Sequence, residues 1–505
     1  MRGPVKTRNL LSCMLLAFAT AGAAAQAQEA TPAAAPVATT VPVTTSSALA
    51  RNDYELGLVE REDRLFVDQG LEFMREAVKA DPQFALGHAA LGYFTADPKE
   101  EERESALAVK YMANATPDEQ LLIRWMNGTK NGDLVPAISA LNDLLAKYPN
   151  DKRLANMAAE WLCSNQGVFE RGENILVTLL KNDPRYFPAM NNLAYCYALS
   201  GEAQHSPALM DQYVAALPNE PNPQDSYGEI MRILGNYPAA LDHYQWALKI
   251  NPNFNPSQVG VASTYALMGE QKRARAAYLV AIKGTKEKAT QLNYRMLSAL
   301  TYYRENENHL GRAEMTKLAA EAKTEGFRVQ AAEMYRTMAL FNADTEGALK
   351  DLEAARDALA ETRDLPPGDR DNELASILQT RAFIGANAGK ADVAEESLKL
   401  LETMAGDSRS MPVQKAYHSA NGASLLAKGD YAAAIPELQE DAQNPLSLRL
   451  LAEAQSKAGQ SADAAQSLNT LAAISDERVE TAYAVPLARA EVKKETPQTA
   501  STGGH

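Results

Sequence analysis

Apolar residues recur along this chain in sets of three. A small residue is followed four positions later by a bulky one, and three positions after that by Ala or Leu. These spacings place the three side chains on one face of a helix, where the small residue lets a neighbouring helix approach closely. Four sets follow the rule most clearly: Ala137, Leu141 and Leu144; Gly172, Leu176 and Leu179; Ala240, Tyr244 and Ala247; Ala274, Tyr278 and Ala281. The pattern predicts an all-α fold of successive amphipathic helices.

Prolines divide the first half of the chain at nearly even intervals. Proline lacks a backbone donor and disfavours helical geometry in the residue before it, so each one marks a helix stop. Six of them are separated by 32 to 35 residues: Pro82, Pro117, Pro149, Pro184, Pro218 and Pro252. Gly201, Gly235 and Gly269 fall between two helices, where a left-handed turn suits glycine. A helical pair repeated every ~34 residues cannot bury its apolar face alone, so the pairs are expected to stack into a solenoid.

The repeats resemble those of the tetratricopeptide repeat family. Leu193, Ala194 and Tyr197 occupy the Leu, small and Tyr positions of that family's first helix, and Val261, Ala262 and Tyr265 do so again one repeat later; Tyr237 matches its turn aromatic. The resemblance implies a right-handed superhelical solenoid whose first helices line a concave groove that binds peptides.

The pattern divides the repeats into three blocks. Residues 51–284 form a regular solenoid, residues 285–371 carry degenerate repeats that end in a loop over Leu365–Asp371, and residues 372–493 return to the repeat spacing. We expect ten to eleven helical pairs in total. An ordinary helical bundle with accidental periodicity is the alternative.

The two ends of the chain differ from the repeats. Residues 1–27 combine a basic start, a short apolar run and an Ala-x-Ala site, which predicts a secretory signal cleaved after Ala27. Residues 28–50 are rich in Ala, Thr and Pro and predict a disordered linker, and residues 494–505 predict a disordered tail. The expected location is therefore periplasmic or secreted.

Charge narrows the class of partner. The formal net charge of −14 becomes −17 when the first 27 residues, with three basic residues and no acidic ones, are removed. Because nucleic-acid binding requires clustered Lys and Arg to neutralise phosphates, a nucleic-acid partner is not expected. After the signal, no apolar stretch approaches the ~20 residues of a membrane-spanning helix.

Two cysteines remain after the predicted cleavage, Cys163 and Cys196. Aligned by repeat position they are offset by two residues, which is about 200° around a helix. A disulfide requires Cα atoms within ~7 Å of each other. We therefore expect two buried thiols, with a disulfide between them as the alternative.

The sequence contains no catalytic, cofactor-binding or metal-binding motif that we recognise. The six histidines are scattered singly, and His88 occupies a packing position of its helix. Trp125, Trp161 and Trp246 lie on repeat helices and are expected to fill the core between repeats. We predict no catalytic residue, no cofactor and no metal site.

The resemblance assigns candidate partner-binding residues by their position on the first helices. They are Asn156, Glu160, Asn191, Tyr195, Asp225 and Glu229. The basic clamp with which some family members hold a C-terminal carboxylate is not reproduced: Asn192 matches its central Asn, but the flanking basic positions hold other residues.

These observations favour a non-enzymatic adaptor that binds a peptide segment or a partner domain during envelope assembly, transport or secretion. One alternative is an exported enzyme or carbohydrate-binding protein in which the helical pairs close into an α/α toroid. A second alternative is an envelope subunit that serves only as a spacer. An open superhelix would favour the first hypothesis, and a closed ring with convergent carboxylates and aromatic rings would favour the toroid.

Overall fold

The computed structural model of the protein describes residues 39–360 and 365–495, and within these ranges every regular element is a helix. The described residues belong to one compact unit that starts at Thr39. They form twelve consecutive helical pairs and a final helix, which confirms the all-α repeat fold. The number of pairs exceeds the ten to eleven predicted, because the second half lacks the proline stops that mark the earlier units.

The first helices of the pairs are α1 (Ala48–Leu58), α3 (Ala85–Phe94), α5 (Pro117–Asn131), α7 (Lys152–Glu160), α9 (Phe187–Ser200), α11 (Pro221–Ile233), α13 (Asn255–Leu267), α15 (Lys288–Arg304), α17 (Arg328–Leu340), α19 (Pro367–Asn387), α21 (Met411–Lys428) and α23 (Pro445–Lys457). The second helices are α2 (Val67–Ala80), α4 (Pro98–Tyr111), α6 (Leu134–Lys147), α8 (Phe169–Asn182), α10 (Ser206–Ala216), α12 (Tyr237–Ile250), α14 (Gln271–Lys283), α16 (Asn308–Glu325), α18 (Thr345–Ala360), α20 (Ala391–Asp407), α22 (Tyr431–Gln439) and α24 (Ser461–Ala473). The last helix is α25 (Val479–Glu495).

The small and bulky positions pack as the sequence predicted. Tyr244 is buried between Gly228 and Gly260, and a Cβ atom added to Gly260 would lie 2.4 Å from the Tyr244 ring. Ala194 is fully buried, and its carbonyl oxygen accepts a hydrogen bond of 2.7 Å from the Ser206 hydroxyl. The turn glycine Gly201 has a φ of 91°, which confirms the left-handed turn between α9 and α10.

The solenoid returns onto its own first pair. Asp68, at the start of α2, accepts hydrogen bonds from the hydroxyl of Thr285 at 3.0 Å and from the backbone amide of Lys286 at 2.9 Å. Just before it, Phe66 packs edge-on against Phe254, with ring centroids 5.4 Å apart. The first pair therefore contacts residues that lie six to seven pairs later.

Two further contacts link other pairs to residues that lie six to seven pairs later. Gly368, near the start of α19, lies so close to α5 that an added Cβ would stand 2.5 Å from the carbonyl oxygen of Lys130. The segment before α25 reaches back to the sixth pair, where the Ser475 hydroxyl donates to the carbonyl oxygen of Arg232 at 2.9 Å. The helical pairs thus surround an interior.

The structure corrects the predictions made for the N-terminal linker and for the internal loop. The linker predicted over 28–50 is wrong for its last part, because Val41 and Val43 pack against the apolar core and Ser47 caps α1. Residues 1–38, with the predicted signal, lie outside the described residues, as do residues 496–505 of the predicted tail. The loop predicted over Leu365–Asp371 is also too long, since α19 begins at Pro367, where proline's missing amide is tolerated.

The three tryptophans do not behave alike. Trp125 and Trp161 are buried as predicted, with ring centroids 6.2 Å apart. The prediction for Trp246 is wrong, because this side chain is 52% exposed. Tyr244 and Ala247 supply the buried stripe of α12, and Trp246 points away from it. The packing role predicted for His88 is confirmed, since its buried ring lies 2.6 Å from Glu104 Oε2.

Candidate functional site

The interior contains a cavity of 690 Å³ that is bounded by early pairs and by the tenth and eleventh pairs. One wall is formed by first helices from α3 to α11, and the opposite wall by the starts of α19 and α21. A π-helical turn, Val59–Asp63, extends α1 toward this space. The side chains that line the cavity through charged, amide or aromatic groups are Arg61, Glu62, Tyr93, Phe94, Lys130, Glu160, Trp161, Asn165, Gln166, Asn191, Asn192, Tyr195, Glu229, Asp369 and Asn372.

Asn191, a residue of this wall, has a buried hydrogen-bond acceptor without a partner among the described residues. This acceptor is Oδ1, and the residue as a whole is 93% buried. The adjacent Asn192 is different, since its Nδ2 donates to Asn156 Oδ1 at 3.1 Å. An unpaired buried carbonyl costs about 1–3 kcal/mol, so a ligand that donates to Asn191 would recover that free energy.

Beside Asn191, Tyr195 and Glu229 form a polar chain that leads to a buried arginine. The Tyr195 hydroxyl donates to Glu229 Oε2 at 3.4 Å, and the buried Arg232 donates to Glu229 Oε1 at 2.9 Å. Burial raises the pKa of Tyr195 well above its usual value, and the Glu229 carboxylate adds to the effect. Tyr195 therefore acts as a hydrogen-bond donor.

Charged groups face each other across the cavity. Arg61 stacks over Phe94, 5.5 Å from the ring centroid, and its Nε has no hydrogen-bond partner within the described part of the chain. Glu160 is accessible to solvent in the cavity, yet the surrounding protein raises its pKa by desolvation, an effect that Arg61 opposes. Lys130 bridges the walls with a 3.3 Å ion pair to Asp369. The lining includes four carboxylates and two basic groups, so its charge favours a basic or amide-rich ligand.

The six residues selected from the sequence fall into two groups. Glu160, Asn191, Tyr195 and Glu229 line the cavity. Asn156 is buried and bonded to Asn192. Asp225 is also buried and accepts a 2.6 Å hydrogen bond from Ser257, so neither Asn156 nor Asp225 presents its side chain to a ligand in this arrangement. Burial raises the pKa of Asp225 to about 7, against the effect of the Ser257 hydrogen bond.

Several lining residues were not predicted. Arg61 and Glu62 belong to the π-helical turn, and Lys130, Asp369 and Asn372 meet only because the second half of the solenoid folds back. No local pattern marks these residues, since their proximity depends on the summed geometry of many pairs.

The cysteine prediction is wrong. Cys163 and Cys196 form a disulfide with their Cα atoms 5.5 Å apart. Cys163 lies in a second π-helical turn, Trp161–Asn165, which extends α7. A π-helical turn winds differently from an α-helix, so the offset calculated from α-helical geometry does not apply there. The disulfide joins neighbouring first helices, and Cys163 lines the cavity.

Within residues 39–360 and 365–495, no three or more His, Cys, Asp or Glu side chains are grouped as a metal ion would require. No helix in the same ranges combines the length and the apolar composition needed to cross a membrane.

Comparisons with known proteins place the repeats in a wider context. No family model matches the chain. The TPR repeat-containing protein YpiA of Bacillus subtilis (strain 168) is 27% identical over 163 residues, which are 32% of this chain and 36% of YpiA. The chain thus spans about a third of the length of this curated relative.

Solved structures show a weaker likeness. The APC/C hetero-tetramer Cut9–Hcn1 matches with a TM-score of 0.41 and 17% identity, over 83% of this chain and 79% of that chain. A tetratricopeptide repeat protein from Parabacteroides merdae ATCC 43184 matches with a TM-score of 0.36 and 14% identity, over 61% of this chain and 99% of that chain. Neither score is high enough to transfer a shape or a partner. The tandem helical pairs and the match to YpiA show that this chain is similar to tetratricopeptide repeat proteins.

Proposed function

We propose that this protein is an exported, non-enzymatic adaptor that holds an extended, basic or amide-rich peptide segment of a partner in its interior cavity. The proposal is carried by Asn191, a residue of the cavity wall whose buried Oδ1 is unpaired among the described residues. Buried polar groups in folded proteins are rarely left without a partner, and a bound backbone N–H would supply one.

The size of the cavity favours a segment over a folded domain. A volume of 690 Å³ falls within the roughly 300–1,000 Å³ range of ligand pockets. The walls contact each other at Lys130 and Asp369, which leaves no open groove wide enough for a second domain at this point. The excess of carboxylates among the lining residues favours a basic segment.

Export is supported by the N-terminal sequence and by the Cys163–Cys196 disulfide. Disulfides form and persist mainly in oxidising compartments such as the periplasm. N-terminal sequencing of the fractionated protein should begin at Gln28. Recovery of the intact N-terminus in the cytosolic fraction would reject export.

The binding proposal is tested with Asn191→Leu. Leucine has nearly the same size and removes an unpaired buried acceptor, so we expect the free energy of unfolding to rise by about 1–3 kcal/mol while capture of the partner falls. Capture is measured by pull-down from envelope extract, with the captured proteins quantified by mass spectrometry. The matched control is Asn192→Leu, which breaks the bond to Asn156 and should lower stability.

The same assay distinguishes the second candidate. The interior, with carboxylates and aromatic rings on its walls, also suits a glycan. Turnover of envelope glycans by the wild-type protein, abolished in Asn191→Leu, would replace the adaptor proposal with the toroid enzyme. Unchanged capture by Asn191→Leu would remove this cavity from the binding site.

A further inference from the structure

A second binding surface is occupied by the chain itself. Residues 39–47, which we call the strap, run in non-helical conformation up to the N-cap of α1. Two strap side chains, Val41 and Val43, pack against the apolar core of the first four pairs. The strap thus lies across the first helices as a bound peptide would.

Carboxylates at the C-cap of α2 and at the starts of α5 and α7 hold the strap. The backbone amide of Val41 donates to Asp151 Oδ2 at 2.9 Å, that of Thr44 donates to Glu119 Oε1, and that of Ser46 donates to Asp81 Oδ2 at 2.9 Å. Thr45 and Ser46 also donate their hydroxyls to Asp81.

Each of these carboxylates uses its two oxygens for different purposes. One oxygen holds the carboxylate's own chain: Asp151 Oδ1 accepts from the Leu154 amide, Glu119 Oε2 from the Thr116 amide, and Asp81 Oδ1 from the Gln83 amide. The other oxygen accepts from the strap. The receiving groups are therefore held in place by the repeats themselves. All three accept a backbone amide of the strap, and Asp81 also accepts two hydroxyl groups.

The strap does not fill the surface on which it lies. A cavity of 370 Å³ remains between it and the helices, and apolar side chains line most of this space. Those that contact it from the helices include Leu58, Leu86, Leu122, Met126, Leu154 and Met157. Side chains larger than valine at alternate positions would bury more apolar surface. Each Å² buried would stabilise the complex by about 25 cal/mol.

We propose that this surface, which we call the strap groove, binds an extended, uncharged partner segment with large apolar side chains at positions i and i+2, and that such a segment displaces the strap. The i and i+2 spacing is taken from the strap, in which Val41 and Val43 both pack against the apolar core. An acidic segment is excluded because Asp81, Glu119 and Asp151 all face it. The Arg153–Glu62 ion pair lies between the strap groove and the central cavity. This inference therefore does not depend on the central cavity.

The test uses the full chain and three fluorescent nonapeptides. One has the sequence of residues 39–47, the second has Leu in place of both valines, and the third has Ser in place of both. We expect the Leu peptide to bind the wild-type protein at least tenfold more tightly than the Val peptide, and the Ser peptide to show no saturable binding. Hydrogen exchange at the amides of Val41, Thr44 and Ser46 should accelerate when the Leu peptide binds.

Two full-length variants loosen the strap. Val41→Ser with Val43→Ser removes its apolar contacts, and Thr45→Val with Ser46→Ala removes its hydroxyl donors to Asp81. Both should bind the Leu peptide at least tenfold more tightly than wild type, with circular dichroism and the melting temperature as folding controls. Asp463→Asn, on the exposed surface of α24, should leave peptide binding unchanged.

Two outcomes would overturn the inference. If the Leu peptide fails to bind either folded variant, the strap serves only to cover the apolar core of the first pairs. If the Leu peptide binds without faster exchange of the strap amides, it binds somewhere else.

Discussion

Arg336 and Glu480 form an ion pair across 144 positions of sequence, and this pair anchors the last helix to the ninth helical pair. Arg336 also donates to Glu373 at 3.0 Å, and Glu333 lies close enough to influence it. A single buried guanidinium thus contacts carboxylates from α19 and α25 and lies near a third from α17.

Arg336→Met should therefore be strongly destabilising. Removal of one partner from a buried ion pair leaves uncompensated charge and costs about 3–5 kcal/mol. Urea unfolding followed by circular dichroism measures the loss. Lys79→Met, which breaks a surface pair with Glu76, is the control and should cost less than about 1 kcal/mol. Similar losses in the two variants would mean that Arg336 does not organise the C-terminal helix.

The disulfide should contribute to the stability of the middle of the solenoid. Cys163 and Cys196 are 33 positions apart, and the chain-entropy relation assigns a loop of this length about 3–4 kcal/mol. We expect the double variant Cys163→Ser, Cys196→Ser to unfold at a lower denaturant concentration than the oxidised wild type. Reduction of the wild type should lower its denaturation midpoint in the same way. Thiol titration of the unreduced, denatured, exported protein should find no reactive thiol; two would contradict the bond.

Asp225 should make stability depend on pH. Its pKa is raised to about 7 in the folded state from an ordinary value near 3.8, because burial disfavours the charged carboxylate. Between these values the folded state retains a proton that the unfolded state has lost, so stability falls as pH rises from about 4 to 7, by on the order of 4 kcal/mol. Asp225→Asn removes this dependence.

Melting curves of wild type and Asp225→Asn at several pH values between 4 and 8 measure this effect. The variant should gain relative stability as pH rises, up to about pH 7, and the difference should then level off. A difference that stays constant over this range would mean that Asp225 titrates normally.

Ala194→Leu should destabilise the fold through overpacking. Ala194 is fully buried where α9 meets α10, and extra methylene groups at such a contact cost about 1–3 kcal/mol. Ala320→Leu, on the exposed face of α16, is the matched control and should change the melting temperature little. An unchanged melting temperature in Ala194→Leu would show that α9 does not pack tightly at this position.

The parts of the fold that were predicted from sequence are those set by neighbouring residues. Ala194, Tyr244 and Gly201 have the environments that their spacing indicated, because one helix face and one turn determine them. The disulfide was not predictable in the same way. It depends on a π-helical turn at Cys163, and one extra residue in a helical turn leaves no clear mark in the apolar pattern.

The candidate site was only partly predictable for a related reason. Asn191, Tyr195 and Glu229 follow from repeat position. Asp369 reaches the same cavity only through the curvature accumulated over several pairs, and small angular differences between pairs decide where it arrives. Asp225 occupies a comparable repeat position but is buried, because the next first helix supplies Ser257 to bond it.

The contact between Asp68 and Thr285 constrains how many repeats can lie between α2 and α15. In an open array, a unit can be gained or lost with little effect beyond its two neighbours. Here an added pair between α2 and α15 would carry Thr285 away from Asp68 and would break this contact. Duplication of a repeat in this interval would therefore also require the loss of a long-range contact, whereas duplication in an open array would not.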